Sequence, residues 1–206
     1  MSSMRCYLSG LLLAVTIGCG SEPESPAIVP SADVPTFQDY GDFGGDFTLT
    51  DHNGQLFNLQ DYRGTVFLIF FGYTFCPDAC PTLMSKLTTV FDIADLKDDQ
   101  KIRTLYITID PGRDTPEQMK EYLQYFSTID VLGLTGTPDE IDGVVIQYGA
   151  SYEKAEGGTA AGYLMNHSTW LYLIDHRGKL RYRFRHADEP QFVATGLRQI
   201  FDKDGL

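Results

Sequence analysis

Basic residues are in short supply in this chain. Sixteen Lys and Arg stand against 28 Asp and Glu, a formal net charge of −12 over 206 residues. A surface that acidic repels phosphate, which argues against nucleic acid and anionic lipid as partners. Apolar runs are short too. The run Cys6–Ile17 has the length of a signal-peptide core and is too short to cross a bilayer. Cysteine and histidine are scarce, with four of each, and proline is absent between Pro138 and Pro190. There is no internal repeat. What the chain does have is a core: 43% of its residues are hydrophobic and 13% aromatic. That suits one globular domain of substantial size, and the 21% charged residues do not describe a disordered chain.

The N-terminus reads as an export signal. Met1–Arg5 carries one positive side chain, the apolar run follows, and Gly18-Cys19 ends it. This resembles the lipobox of bacterial lipoproteins, although Thr16 stands where Leu is usual. An ordinary secretory signal peptide is the alternative. The resemblance implies a signal peptide at residues 1–18 and lipidation of Cys19. It also implies export to the bacterial cell envelope or periplasm as a membrane-anchored lipoprotein. Residues 19–45, with Pro23, Pro26, Pro30 and Pro35, read as a flexible tether. The folded domain then spans 46–206. Cys6 leaves with the signal and Cys19 is acylated, so Cys76 and Cys80 are the thiols left in the domain.

Periodicity organises the rest. Phe47–Thr50 and Leu56–Leu59 flank Asp51-His52-Asn53-Gly54, a hairpin signal, and His52 in that turn is expected to be solvated. Thr65–Phe71 is apolar on both faces, as in a central covered strand. Leu83, Leu87, Val90, Phe91 and Ala94 recur at helical spacing. Ile102–Ile109 reads as a second buried strand. Thr115-Pro116 and Thr137-Pro138 each open a helix with an N-cap and a first-position proline, and Val131–Leu134 is a short strand between those helices. Tyr152–Leu164 is Gly-rich and reads as a strand with an exposed loop. Ser168–Ile174 and Lys179–Phe184 form a hairpin joined by Asp175-His176-Arg177-Gly178, and Glu189–Phe201 is a closing helix. This order predicts an α/β thioredoxin-like fold, with a central mixed sheet flanked by helices and an N-terminal β-hairpin extension.

The chemistry centres on Phe70-Phe71-Gly72-Tyr73-Thr74-Phe75-Cys76-Pro77-Asp78-Ala79-Cys80-Pro81. Thiols at the start of a helix ionise easily, because unpaired N–H groups and the helix dipole favour the anion. Cysteines four apart can face one another across a turn. On this motif alone, a structural disulfide, redox exchange and metal binding all stay open. A third ligand would come from four histidines. His52 and His176 lie in polar turns, and His186 follows a strand end. Met165-Asn166-His167-Ser168 precedes a buried strand at the sheet edge that would face the cysteines. Thioredoxin-like reductases place a cis-proline there, and this chain has His167 instead.

Three stretches in this order carry a family resemblance: Phe71–Pro81, Asp110-Pro111-Gly112-Arg113-Asp114-Thr115-Pro116, and His167-Ser168 before a strand. The chain resembles the Sco/SenC family over roughly Phe47–Phe201. These are copper-binding thioredoxin-fold proteins that assist assembly of cytochrome c oxidase. The resemblance implies that Cys76, Cys80 and His167 are copper ligands, for Cu(I) or Cu(II). It places Asp110 and Asp114 near the site, although turn and helix-start chemistry would equally explain both. Asn166 departs from the acidic residue often found before this histidine. The expected function is a copper chaperone for the dinuclear copper centre of an oxidase subunit. Expected partners are that subunit, another periplasmic copper carrier and the membrane through the lipid. The alternative is an enzyme, a thiol–disulfide oxidoreductase or peroxide reductase using Cys76 and Cys80 as a redox pair.

Overall fold

Every residue of Val66–Gly72 is buried, so this strand must be covered on both faces. It is β3, at the heart of the sheet. The computed structural model describes residues 34–96, 101–159 and 162–204. The expected signal peptide, Cys19 and the first part of the tether lie outside them. Side chains along β3 alternate between two core layers. Val66, Leu68 and Phe70 pack beneath helices α1 (Ala79–Ala94), α2 (Pro116–Leu123) and α4 (Pro190–Asp204). Phe67, Ile69 and Phe71 pack on the opposite side with α3 (Pro138–Gln147). Burying each of these side chains contributes about 1.5–3 kcal/mol.

The main sheet is mixed. It also contains β1 (Thr48–Asp51), β2 (Leu56–Asn58), β4 (Ile102–Thr108), β5 (Val131–Thr135), β8 (Leu171–Ile174) and β9 (Leu180–Phe184). Its order is β2-β1-β5-β4-β3-β8-β9. Strands β3, β4 and β5 run parallel, whereas β8 pairs antiparallel with β3, β9 with β8, and β1 with β5. The expected hairpin extension is therefore β1–β2, joined to the sheet through β5. Helix starts follow their caps. The Thr115 hydroxyl accepts the Gln118 N–H, and Thr137 with Glu140 closes both halves of a capping box. Among the described residues no helix is long and apolar enough to cross a membrane.

Three expectations change. His52 is not merely solvated: it is half-buried, its N–H donates to the Gly133 carbonyl at 2.9 Å and its Nδ1 accepts the Gly133 N–H at 3.0 Å. The imidazole thus hooks the hairpin onto β5. The Gly-rich stretch is not a strand and a loop but a second hairpin, β6 (Tyr152–Thr159) with β7 (Gly162–His167), forming its own two-stranded sheet. His167 ends β7, and three residues separate it from β8. The end of the tether lies against the domain: Phe37 and Tyr40 pack on the two core layers, and the Gln38 N–H donates to the Arg181 carbonyl at 3.1 Å.

Candidate metal centre

β3 and β4 end on the same side of the sheet, and ligands of open α/β sheets gather at such carboxyl ends. The loop after β3 carries Cys76 and leads into α1, whose first turn carries Cys80. The Cys80 N–H points at the Cys76 sulfur, 3.5 Å away. The sulfur therefore occupies the anion position of a helix N-terminus. Both cysteines are free thiols; Cys76 is half-buried and Cys80 fully buried. The hydrogen bond from Cys80, with further help from backbone N–H groups, lowers the Cys76 thiol to about 3 despite its burial. The same bond, with burial, pushes Cys80 the opposite way.

β7 delivers the third donor. The ligand atoms of Cys76, Cys80 and His167 all lie within 4.8 Å of one another, and the Cys80 sulfur is 4.0 Å from His167 Nε2. His167 Nδ1 sits 2.9 Å from the Ser168 carbonyl. A carbonyl only accepts, so Nδ1 carries the proton and the Nε2 lone pair is left for the sulfur side. The ring is held edge-on by Phe70 and Tyr73, with centroids 6.1 Å and 5.9 Å away.

Asp110 and Asp114 stay outside the donor cluster and bond to segments that flank it. Asp114 is fully buried and accepts three hydrogen bonds: Thr74 N–H at 3.0 Å, Thr74 hydroxyl at 2.7 Å and Thr108 hydroxyl at 2.7 Å. It thereby pins the loop two residues before Cys76. Burial raises its pKa, against the pull of the two threonines. Asp110 reaches the other way, accepting from the Tyr163 hydroxyl at 2.7 Å and pairing with Arg113 at 2.5 Å.

Arg113 completes a latch that the sequence motif contained but did not explain. Its guanidinium donates to the Tyr163 carbonyl at 2.9 Å, lies 3.7 Å over the Tyr163 ring and 4.7 Å from the Phe75 ring. Phe75 neighbours Cys76, and Tyr163 lies on the hairpin that carries His167. The Tyr73 hydroxyl adds a second tie by accepting the Met165 N–H at 3.2 Å. His186, the histidine after a strand end, lies outside the donor cluster; its carbonyl accepts from Lys86.

Two thiolates and one imidazole form a soft donor set with fewer ligands than a closed structural zinc site uses. The fold and these donors define a thioredoxin-like protein with a thiol–imidazole cluster that could hold a metal ion. The SCO1/SenC family model matches residues 36–202. An SCO2-like protein of Rickettsia felis is 36% identical over 197 residues, covering 91% of this chain and 94% of that one. Among solved structures, copper-bound ScoI of Bradyrhizobium japonicum is 37% identical at a TM-score of 0.66, covering 77% of this chain and 99% of that one. Copper-bound ScoI of Arabidopsis thaliana is 28% identical at a TM-score of 0.72, covering 78% and 99%. The chain belongs to the SCO1/SenC family.

Proposed function

We propose that the chain is an exported copper chaperone that assists assembly of the dinuclear copper centre of a cytochrome c oxidase subunit. Cys76, Cys80 and His167 hold the copper, and Cys19 carries the lipid that anchors the protein in the bacterial cell envelope. The observation that carries this reading is the convergence of two sulfurs and one imidazole within 4.8 Å. That set suits Cu(I), because thiolates are soft donors and three ligands leave a position open. An open position is what handover requires, since the acceptor's ligand must bind before the donor lets go.

The three donors are unequally accessible, which gives the handover a direction. Cys80 is fully buried, whereas Cys76 and His167 are half-buried. An acceptor such as the oxidase subunit approaches from the Cys76–His167 side, and Cys80 is the last to release. Joining the sulfurs in a disulfide would withdraw two of the three donors, so the redox state of the pair gates loading. A periplasmic copper carrier would load the site from the same side.

The test is anaerobic Cu(I) titration of the reduced chain. One copper per chain is expected, and His167→Ala should lose it or bind at least tenfold more weakly, as loss of one of three donors implies. Unchanged stoichiometry and affinity in His167→Ala would sink the reading. A second reading, thiol–disulfide oxidoreductase, draws on the low pKa of Cys76, which makes it a ready nucleophile. It prevails if the chain turns over a disulfide substrate, Cys76→Ser and Cys80→Ser abolish turnover, and copper plays no part.

A further inference from the structure

The net charge of −12 averages over an uneven surface. Arg177, Lys179, Arg181, Arg183 and Arg185 place five of the chain's sixteen basic residues within nine positions. They run through the β8–β9 turn and along β9, the last strand of the sheet. Arg177, Lys179 and Arg185 are exposed, and Arg181 and Arg183 are half-buried. The acidic residues beside them turn inward. Asp175 and Asp188 are buried, and their carboxylates accept the backbone N–H groups of Arg177, Lys179 and Arg185. Asp188 also pairs with the Arg185 guanidinium at 2.8 Å, yet that side chain stays 73% exposed.

Aromatic rings stand among these cations. The Arg183 guanidinium lies 5.3 Å from the Tyr40 ring and 5.4 Å from the Trp170 ring. With Tyr182 and Arg185 they line a groove of about 280 Å³. The anchored end of the chain arrives at the same edge. The Arg181 guanidinium lies 5.9 Å from the Phe37 ring, and the Arg181 carbonyl accepts the Gln38 N–H. Fifteen positions separate Cys19 from Val34, where the described residues begin. Fully extended, they reach about 50 Å.

We infer that the β9 edge, from Arg177 to Arg185, docks the domain on an anionic phospholipid surface. This rests on the reading of Cys19 as the membrane anchor. Phosphate groups would meet the exposed guanidinium and ammonium groups, while Trp170, Tyr40 and Tyr182 are the ring types that settle at membrane–water interfaces. Tethering keeps the headgroups at high local concentration, so a weak surface suffices. Acidic groups more than about 10 Å away are screened at about 0.1 M salt and oppose docking little. Only β8 lies between β9 and β3, and two strand spacings are about 10 Å. Docking on this edge therefore holds the Cys76 loop close to the bilayer.

The test uses the full chain carrying Cys19→Ser, so that no acyl group contributes. It is mixed with vesicles of phosphatidylcholine alone, or of phosphatidylcholine with an equal amount of phosphatidylglycerol. Cosedimentation gives the partition, and Trp170, the one tryptophan in the chain, reports on the groove by its emission. Binding to the anionic vesicles should be at least about tenfold stronger than to the neutral ones at about 0.1 M salt, and the preference should vanish at about 1 M. Trp170 emission should shift to the blue only on the anionic vesicles. Each basic side chain near such a surface is worth about fivefold, so Arg177→Gln/Lys179→Gln/Arg185→Gln should weaken that binding about a hundredfold. Lys179→Gln alone should weaken it about fivefold, which keeps the test open if the triple variant does not fold. Lys101→Gln/Arg103→Gln/Lys120→Gln, with the same change in charge away from β9, should bind as the parent does. Equal binding to both vesicles overturns the inference and leaves the stripe to an acidic protein partner. So does sedimentation without a Trp170 shift, which would mean insertion of the N-terminal apolar run, and so does an equal loss in both triple variants. If the wild-type chain exported from a bacterial host carries no acyl group on Cys19, the anchor reading fails, and the vesicle preference still decides the role of β9.

Discussion

Asp114 shapes the site through Thr74, at a distance from the sulfurs. Its carboxylate satisfies a backbone N–H and two hydroxyls, of which that of Thr108 is fully buried. Asp114→Ala leaves those donors unpaired, each at about 1–3 kcal/mol. Chemical denaturation of the metal-free chain should therefore show a loss on the order of 3 kcal/mol, with weaker copper binding because the Cys76 loop is freed. Asp114→Asn should recover part of both. The pH dependence has a definite sign. Burial holds the folded-state pKa of Asp114 above the ordinary 3.8, so the folded chain binds that proton more tightly than the unfolded one. Stability due to this group is therefore greatest at acid pH and declines as pH rises from 3.8 through the raised folded value. Asp114→Asn should flatten that decline; an unchanged profile would show that another group causes it. The sequence singled out Cys76, Cys80 and His167, which the fold brings together, because residue type and order are legible without contacts. It named Asp110 and Asp114 without their tasks, because those tasks are contacts with Thr74, Thr108 and Tyr163, up to 53 residues away.

The same distance explains which elements were legible. Helices α1, α2 and α3 announce themselves locally, through apolar spacing and Thr-Pro caps. β3 and β4 announce themselves as apolar runs. The β6–β7 hairpin does not, because its glycines blur alternation and its hold on the domain is tertiary. That hold sets where His167 sits. Arg113 joins Asp110, the Tyr163 carbonyl and two aromatic faces in one grip. A planar, always-charged guanidinium fits this arrangement, and a lysine would not. Arg113→Ala, and Arg113→Lys to nearly the same degree, should release the hairpin from the Cys76 loop. Amide hydrogen exchange across β6 and β7 should speed up while that of β3 and β4 stays slow. Copper affinity should fall about tenfold, the scale expected for a residue that orients a ligand. Fast exchange confined to the hairpin with unchanged affinity would mean that His167 finds the sulfurs without the latch.

At the scale of the molecule, the three candidate copper donors and the turn that braces them come from segments that the chain keeps far apart. The Cys76–Cys80 loop follows β3, the Asp110–Asp114 turn follows β4, and His167 arrives on a hairpin outside the main sheet. Cys80 and His167 are 87 positions apart in sequence. A ligand that binds these segments only when they are assembled must stabilise the assembled state. At a free concentration 100 times its dissociation constant the gain is about 2.7 kcal/mol. For a domain of this size that corresponds to roughly 5–10 °C in the unfolding midpoint. Calorimetry of the reduced chain should show this rise on adding Cu(I) and its reversal on adding a competing thiol chelator. Oxidising the pair to a disulfide should abolish the copper-dependent rise, because two of the three donors are gone. A Cys76–Cys80 bridge closes a short loop, which by chain entropy alone is worth about 2 kcal/mol. The oxidised chain should therefore melt above the metal-free reduced chain, with no further rise on adding Cu(I). A copper shift that survives oxidation would place the metal elsewhere on the acidic surface.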